Sequence, residues 1–248
     1  DDIDNFIPVE PMAAHAAQYK AMPGFGIDST NAHCREDTTM AKGILLVGFD
    51  YANAYADEFH DWYDLEHIPE REGVPGFSSC RRWMVPGTTQ AVATYDLDTL
   101  GVLDSDAYRA IAYANLSPWS KRVTGTCERL VRIEGDIIGE VDATTPAGAG
   151  AVLVNAMNVD PAHEEEFNAW YDEEHLPALL GVPGALNAWR YRGRDGSTHK
   201  YLAIYFLENT SVAESDAWRT AARTPWSAEV TPHFRDRVRL LCTAYTRT

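Results

Sequence analysis

One peptide is written twice in this chain. Trp62-Tyr-Asp-Leu-Glu-His-Ile-Pro69 returns 108 residues later as Trp170-Tyr-Asp-Glu-Glu-His-Leu-Pro177, and Gly73-Val-Pro-Gly76 returns at the same offset as Gly181-Val-Pro-Gly184. Ten of the fifteen positions from 62 to 76 match their counterparts. Ser105-Asp-Ala-Tyr-Arg109 and Pro118-Trp-Ser120 recur as Ser215-Asp-Ala-Trp-Arg219 and Pro225-Trp-Ser227 at offsets of 110 and 107, the drift expected from short loop insertions and deletions. Self-similarity at a long period signals copies of one supersecondary unit that bury their apolar faces against each other. The chain reads as a tandem duplication: a first repeat over 43–140, a second over 151–248, and between them 141–150, whose Thr, Pro, Ala and Gly favour a flexible link. Residues 1–42 carry scattered prolines and no clear period, so they read as an arm: a tag, a misassigned start before Met40-Ala-Lys, or a surface-wrapping extension.

Within each copy the pattern changes in the same order. Residues 44–49 and 151–157 are short apolar runs ending at turn residues, as in a strand buried on at least one face. A helix follows, opened in the second copy by Asp160, Pro161 and three glutamates, which are an N-cap, an N1 proline and an acidic first turn. Because proline disfavours helical geometry in the residue before it, that helix is expected to stop at Pro69 and Pro177. Residues 77–85 with 90–97, and 185–192 with 199–207, read as hairpins. Helical character over 104–115 and 214–222 follows, and strands over 129–133 and 237–244 close the copies. This βαββαβ order is the ferredoxin-like split. With both helices on one face, the sheet keeps an apolar surface that a second copy can cover. The expected fold class is α+β: two ferredoxin-like repeats packed sheet to sheet as a pseudo-dimeric α/β barrel, with a cavity between sheet and helices in each half.

The repeated motif also carries a family resemblance. Trp-Tyr-x-x-Glu-His-[Ile/Leu]-Pro followed by Gly-Val-Pro-Gly resembles the signature of EthD-like proteins in the dimeric α/β-barrel superfamily. The resemblance covers both copies and implies the barrel. It leaves the reaction open, since one fold hosts many chemistries. That superfamily includes cofactor-free monooxygenases, muconolactone-type isomerases, polyketide cyclases, dehydratases and haem enzymes.

Charge and motif content narrow the partners. The formal charge is −16, from 37 Asp and Glu against 21 Lys and Arg. Such a field repels phosphate backbones and anionic lipid, so neither nucleic acid nor membrane is an expected partner. No apolar run approaches the roughly 20 residues a membrane helix needs. Cys34, Cys80, Cys127 and Cys242 are far apart with no CxxC, which points to free thiols in a reducing, cytoplasmic setting. No His-Glu-x-x-His, Walker, dinucleotide or Gly-x-Ser-x-Gly motif is present. The expected partner is a small hydrophobic molecule, no cofactor or metal is called for, and a homodimer stays open.

The candidate chemistry lies on the motif helix. Phe59, Trp62, Tyr63 and Glu66 fall at i, i+3, i+4 and i+7 and share the face turned to the sheet or cavity. A carboxylate there must be hydrogen-bonded or protonated, which makes Glu66 and Glu174 candidate acids of raised pKa that orient the neighbouring imidazole. His67 and His175, beside Tyr63 and Tyr171 at the expected C-terminal end of a helix dipole, suit proton transfer near neutral pH. Alternatively the Glu and His fasten the Gly-Val-Pro-Gly loop. Trp62 and Trp170 read as core anchors before ligand platforms, and Tyr63 and Tyr171 as core residues or donors to a substrate oxygen. Arg82 and Arg190 lie in matching strands, to hold a substrate carboxylate or, more commonly, a helix carboxylate. His60, Asp64 and His67 form a flank that the second copy replaces with Asn168, Asp172 and His175; the spacing permits a divalent metal without requiring one. Trp83, Tyr95 and Tyr205, with Trp119, Trp189, Tyr191, Tyr201, Trp218 and Trp226, are expected to give the cavities aromatic walls with few charges, suited to a flat apolar or phenolic ligand.

The leading expectation is a cofactor-independent acid–base enzyme, a lyase, dehydratase or isomerase, acting on a small aromatic or polyketide-like compound. His67 or His175 moves the proton, with His60 favouring the first copy as the working site. A cofactor-free monooxygenase of a phenol and a non-catalytic binding or accessory protein are the alternatives.

Overall fold

The computed structural model describes residues 42–139 and 143–247. The expected arm thus lies outside the described residues except for Lys42, and the link does so at 140–142. β1 (Gly43–Asp50) leads into α1 (Ala56–Trp62), a π-helical turn (Tyr63–His67) and α2 (Ile68–Glu72). The hairpin β2 (Phe77–Met84) and β3 (Gln90–Leu97) follows, then α3 (Asp106–Arg109), α4 (Pro118–Thr126) and β4 (Glu128–Ile137). A similar order returns in β5 (Ala151–Val159), α5 (Glu164–Trp170), a second π-helical turn (Tyr171–His175) and α6 (Leu176–Leu180). It continues through β6 (Ala185–Gly193), β7 (Tyr201–Leu207), α7 (Ser211–Glu214), α8 (Asp216–Ala222), α9 (Pro225–Val230) and β8 (Phe234–Ala244).

The eight antiparallel strands close into one barrel in the order β1-β3-β2-β8-β5-β7-β6-β4. Two short seams join the halves: Trp83 and Met84 lie opposite Ala244 and Thr243, and Gly135, Asp136 and Ile137 lie opposite Gly193, Arg192 and Tyr191. Alternation along the strands sorts the apolar side chains into layers. Leu46, Val92, Val154 and Ile204 fill the barrel with Trp83, Trp189 and Tyr191, while Leu45, Ala93, Leu153 and Ala203 pack beneath the helices. Strands buried on both faces have no polar side to show, which is why they read as continuous apolar runs.

The motif helix does not stop at its proline. Ile68 donates its backbone N–H to Tyr63, and Leu176 donates to Tyr171, both i→i+5 bonds, and Pro69 and Pro177 sit in the first turn of α2 and α6. The wider π turn accommodates a ring that has no N–H to give and would crowd the carbonyl of an α-helical turn. The helix runs on to the Gly-Val-Pro-Gly stretch, whose last residue must be glycine in both halves. Gly76 and Gly184 have φ of +95° and +87°, and a Cβ would lie 2.4 Å from Val102 and 2.6 Å from Val212.

Two further expectations are corrected. Residues 104–115 are not one helix: Ser105 caps α3 by accepting from the Tyr108 N–H at 3.2 Å, the chain breaks at Tyr113 with φ +55°, and α4 begins anew at Pro118. The signal for α4 was present as Ser117-Pro118, an N-cap followed by an N1 proline. Ser117 Oγ accepts from Ser120 N–H at 2.9 Å. Nor do residues 143–150 hang as a loose link. Thr145 is buried and donates its N–H and hydroxyl to the Asp96 carboxylate at 2.8 and 2.9 Å, and Ala143 and Ala149 are buried with it.

Candidate functional site

The π turn decides where the motif histidine points. In an α-helix residues 62 and 67 stand about 140° apart; here the Trp62 and His67 ring centroids are 4.2 Å apart, and those of Trp170 and His175 are stacked at 4.0 Å. The histidine is thereby turned under the helix, onto the sheet side. His67 lines a cavity of about 180 Å³ with Tyr95, Tyr108 and Arg71. His175 lines one of about 330 Å³ with Trp170, Tyr171, Trp218 and Arg237.

Among the described residues, Nδ1 of both imidazoles is sealed from solvent without a hydrogen-bond partner. Burial lowers both pKa values, with neighbouring arginines adding to the effect: His67 falls well below the ordinary value and His175 falls to about 3. The rings are uncharged at neutral pH. This corrects the expectation of a dipole-favoured imidazolium, because the helix runs past the histidine and its C-terminal carbonyls lie beyond. The Tyr95 and Tyr205 hydroxyls are also buried without a well-formed hydrogen bond among the described residues, and desolvation holds both phenols well above their usual range. Tyr63 and Tyr171 are raised for the same reason, so the tyrosines here are donors and not bases.

The other candidates have different partners. The Glu66 carboxylate accepts from Ser117 Oγ at 2.6 Å and Ser120 Oγ at 3.1 Å, and Glu174 accepts from Thr224 Oγ1. These glutamates fasten the motif helix to the start of α4 or α9 and do not orient the imidazoles. The Trp62 indole donates to Ser120 at 2.9 Å and that of Trp170 to Ser227 at 3.2 Å, anchoring the same joints. Arg82 pairs with Asp64 at 2.5 Å and Arg190 with Asp172 at 2.7 Å, each lying over the ring of Tyr63 or Tyr171. Trp83 belongs to the barrel interior, donating to Thr94 at 2.9 Å, and Tyr205 packs behind His175 and Trp218. A groove of about 410 Å³ at the β2–β8 seam is lined by Arg82, Trp83 and Tyr245, and its Arg82–Asp64 pair is closed on itself.

His60 lies outside the two cavities of His67 and His175 and lines a separate surface groove of about 390 Å³ with Asp57, Asp61 and Arg247. It contacts Arg82 through Nδ1 at 2.7 Å and stacks on Tyr245, while Asp64 is held by Arg82 and the π turn carries His67 inward, so the expected flank does not converge. Among the described residues, Asp160, His163 and His233 do place three potential metal-ligand atoms within 4.8 Å of one another. There the two imidazoles are stacked with centroids 3.4 Å apart and nearly parallel, so their nitrogen lone pairs lie in separate planes, and Arg235 stands 3.6 Å from the Asp160 carboxylate.

The expectation of few charges in the cavities is overturned. Arg71, Arg129 and Arg132 line the first, and Arg219, Arg223, Arg237 and Arg239 line the second. Arg235, Arg237 and Arg239 alternate along β8, a period-two signal readable in the sequence. The aromatic wall is partly present, from Tyr95 and Tyr108 in the first cavity and Trp170, Tyr171 and Trp218 in the second.

A closed eight-strand antiparallel barrel with helices packed outside makes this an α+β fold compatible with a dimeric α/β barrel. Solved structures share it. An "anthrone oxidase-like protein" matches with a TM-score of 0.56 at 10% identity, over 83% of this chain and 92% of that one. A chlorite dismutase from Candidatus Nitrospira defluvii matches with 0.52 at 12% identity, over 84% and 92%. A "putative monooxygenase" from Fusobacterium nucleatum matches with 0.51 at 10% identity, over 83% and 94%. No protein-family profile matches the chain, and no curated protein is similar to it in sequence. No helix among the described residues is long and apolar enough to cross a membrane.

Proposed function

We propose that this protein is a cofactor-independent enzyme that takes a proton from a small phenolic or polyketide-like compound in the His175 cavity and delivers the resulting carbanion to dioxygen. One observation carries the reading: His175 is an uncharged imidazole whose buried Nδ1 has no hydrogen-bond partner among the described residues, on the wall of a cavity of about 330 Å³ beside Tyr171 and Trp170. That volume falls within the range of about 300–1,000 Å³ for small-molecule sites, and the 180 Å³ of the first cavity falls below it. Both suit a compact ligand better than a macrocycle such as haem.

In the Nδ1–H tautomer, Nε2 accepts the proton. The substrate anion formed beside it raises the imidazole pKa by pairing, and Arg237 stabilises the same charge. For a benzylic methylene next to a phenol, the carbanion bonds to one oxygen atom. That carbon ends as a carbonyl, while the second oxygen leaves as water with the two methylene hydrogens. The names of the solved neighbours support this oxygenase branch. The elimination and isomerisation readings share the proton removal and differ only in consuming no oxygen. Within the dimeric α/β barrels, the repeated motif supports kinship with EthD-like proteins and an origin in two duplicated ferredoxin-like units.

Oxygen-electrode assays with hydroxyaromatic substrates test the proposal. Uptake stoichiometric with product is expected, falling about 10²–10⁴-fold in His175→Gln, the usual range for loss of a general base. Full activity in His175→Gln removes the proposed base, and product without oxygen uptake selects elimination or isomerisation.

A further inference from the structure

The cations of the two cavities are not equivalent. In the first, Arg71 pairs with Glu70 at 2.7 Å and Arg132 pairs with Glu134, leaving Arg129 as the arginine on that wall without a carboxylate partner among the described residues. In the second, only Arg219 has a carboxylate partner among the described residues, Asp216 at 2.5 Å. Arg223, Arg237 and Arg239 make no ion pair among the described residues. Arg237 donates to the Oδ1 of Asn155 at 3.1 Å, and Asn155, a buried side chain on β5, is itself a wall residue.

Three unpaired guanidinium groups around one cavity are unexpected in a chain of charge −16, where a carboxylate partner is the commonest neighbour on offer. Like charges held together destabilise the empty site. Arg239 shows it: partial desolvation and the adjacent Arg237 lower its pKa from the ordinary value, outweighing the opposing field of Glu214, with which it forms no ion pair among the described residues. A negatively charged ligand relieves that repulsion and receives directional, charge-assisted hydrogen bonds from the guanidinium groups. Local cations lining a cleft also concentrate anions there against the overall field.

Resting on the function proposed above, we infer that the second cavity binds an aromatic compound carrying an anionic group such as a carboxylate, held by Arg237 and Arg239 with the ring between Trp218 and the His175 side. The first cavity, with most of its guanidinium charge already paired, lacks this preference.

Titration calorimetry on the full chain, with salicylate against its uncharged counterpart salicylamide, tests this without turnover. Salicylate is expected to bind about tenfold or more tightly than the amide at low ionic strength, the scale of one charge-assisted hydrogen bond. Arg237→Gln and Arg239→Gln should each erode that preference while leaving salicylamide affinity unchanged. Arg122→Gln, which removes the same charge from the exposed surface of α4, should preserve it. Equal affinities for the two probes, no salicylate binding, or an undiminished preference in both cavity variants overturns the inference. If salicylate binding behaves as expected and no substrate consumes oxygen, the catalytic reading fails alone; oxygen uptake without charge preference fails only this one.

Discussion

The Ser117 hydroxyl donates to the Glu66 carboxylate at 2.6 Å, joining the N-cap of α4 to the motif helix across 51 residues. Thr224 and Glu174 make the matching bond in the other half. In each half the glutamate of the motif is therefore a clamp between two helices. The histidine next to it is uncharged, with its buried Nδ1 unpartnered among the described residues, and in the second half it is the proposed base.

Removing the clamp should cost stability. In Glu66→Ala two hydroxyls lose their acceptor, and a loss of about 1–3 kcal/mol is expected, read as a lower urea midpoint. An unchanged midpoint would show that solvent replaces the bond without penalty.

The buried imidazoles should make folding sensitive to acid. His175 has a pKa of about 3 against an ordinary value of 6.5. Above pH 6.5 neither folded nor unfolded chain binds this proton. Below it, the unfolded chain takes up a proton that the folded one refuses until about pH 3, so stability falls as pH falls, by up to about 1.4 kcal/mol per pH unit. His67 acts with the same sign. Thermal midpoints of the wild type should drop more steeply between pH 6.5 and 4 than those of His175→Gln, and parallel curves would contradict the shift.

Gly76→Ala should be markedly worse than Gly87→Ala. Both positions have positive φ, +95° and +72°, but only at Gly76 does a Cβ meet a neighbour, Val102 at 2.4 Å, whereas the space at Gly87 is open. The backbone penalty of about 1–2 kcal/mol applies to both, and the clash adds to it at Gly76 alone. Denaturation of the two variants side by side checks the difference.

Arg82→Lys is not expected to be a conservative change. The guanidinium bonds Asp64 at 2.5 Å and His60 at 2.7 Å while lying 4.5 Å from the Tyr63 ring centroid. A lysine cannot hold that planar arrangement. A loss of about 1–3 kcal/mol is expected, the range for hydrogen bonds to charged groups, and wild-type stability in Arg82→Lys would refute it.

Much of the architecture was legible because it rests on local pattern. Eight short apolar runs with turn signals between them locate eight strands, since period and length are properties of consecutive residues. The Asp160-Pro161 cap marks a helical start for the same reason, and Asp160 does accept the Ala162 N–H at 3.2 Å. The pairing of Arg82 and Arg190 with helix carboxylates also followed from charge and offset. The π turn did not, because a widened turn depends on how the helix must seat Trp62 and His67 together against the sheet, a demand absent from the α-helical periodicity used to place Glu66 on the buried face.

The amino-acid order by itself determined the strands, the motif helices and the two matched sets of side chains, because each depends on neighbours in the chain. Tertiary structure alone decided that Glu66 meets Ser117, that His175 is stripped of water and charge, and that Arg237 and Arg239 line a cavity without an ion pair among the described residues. Those outcomes depend on which distant elements converge and how much solvent they exclude, and both are set only when the barrel closes.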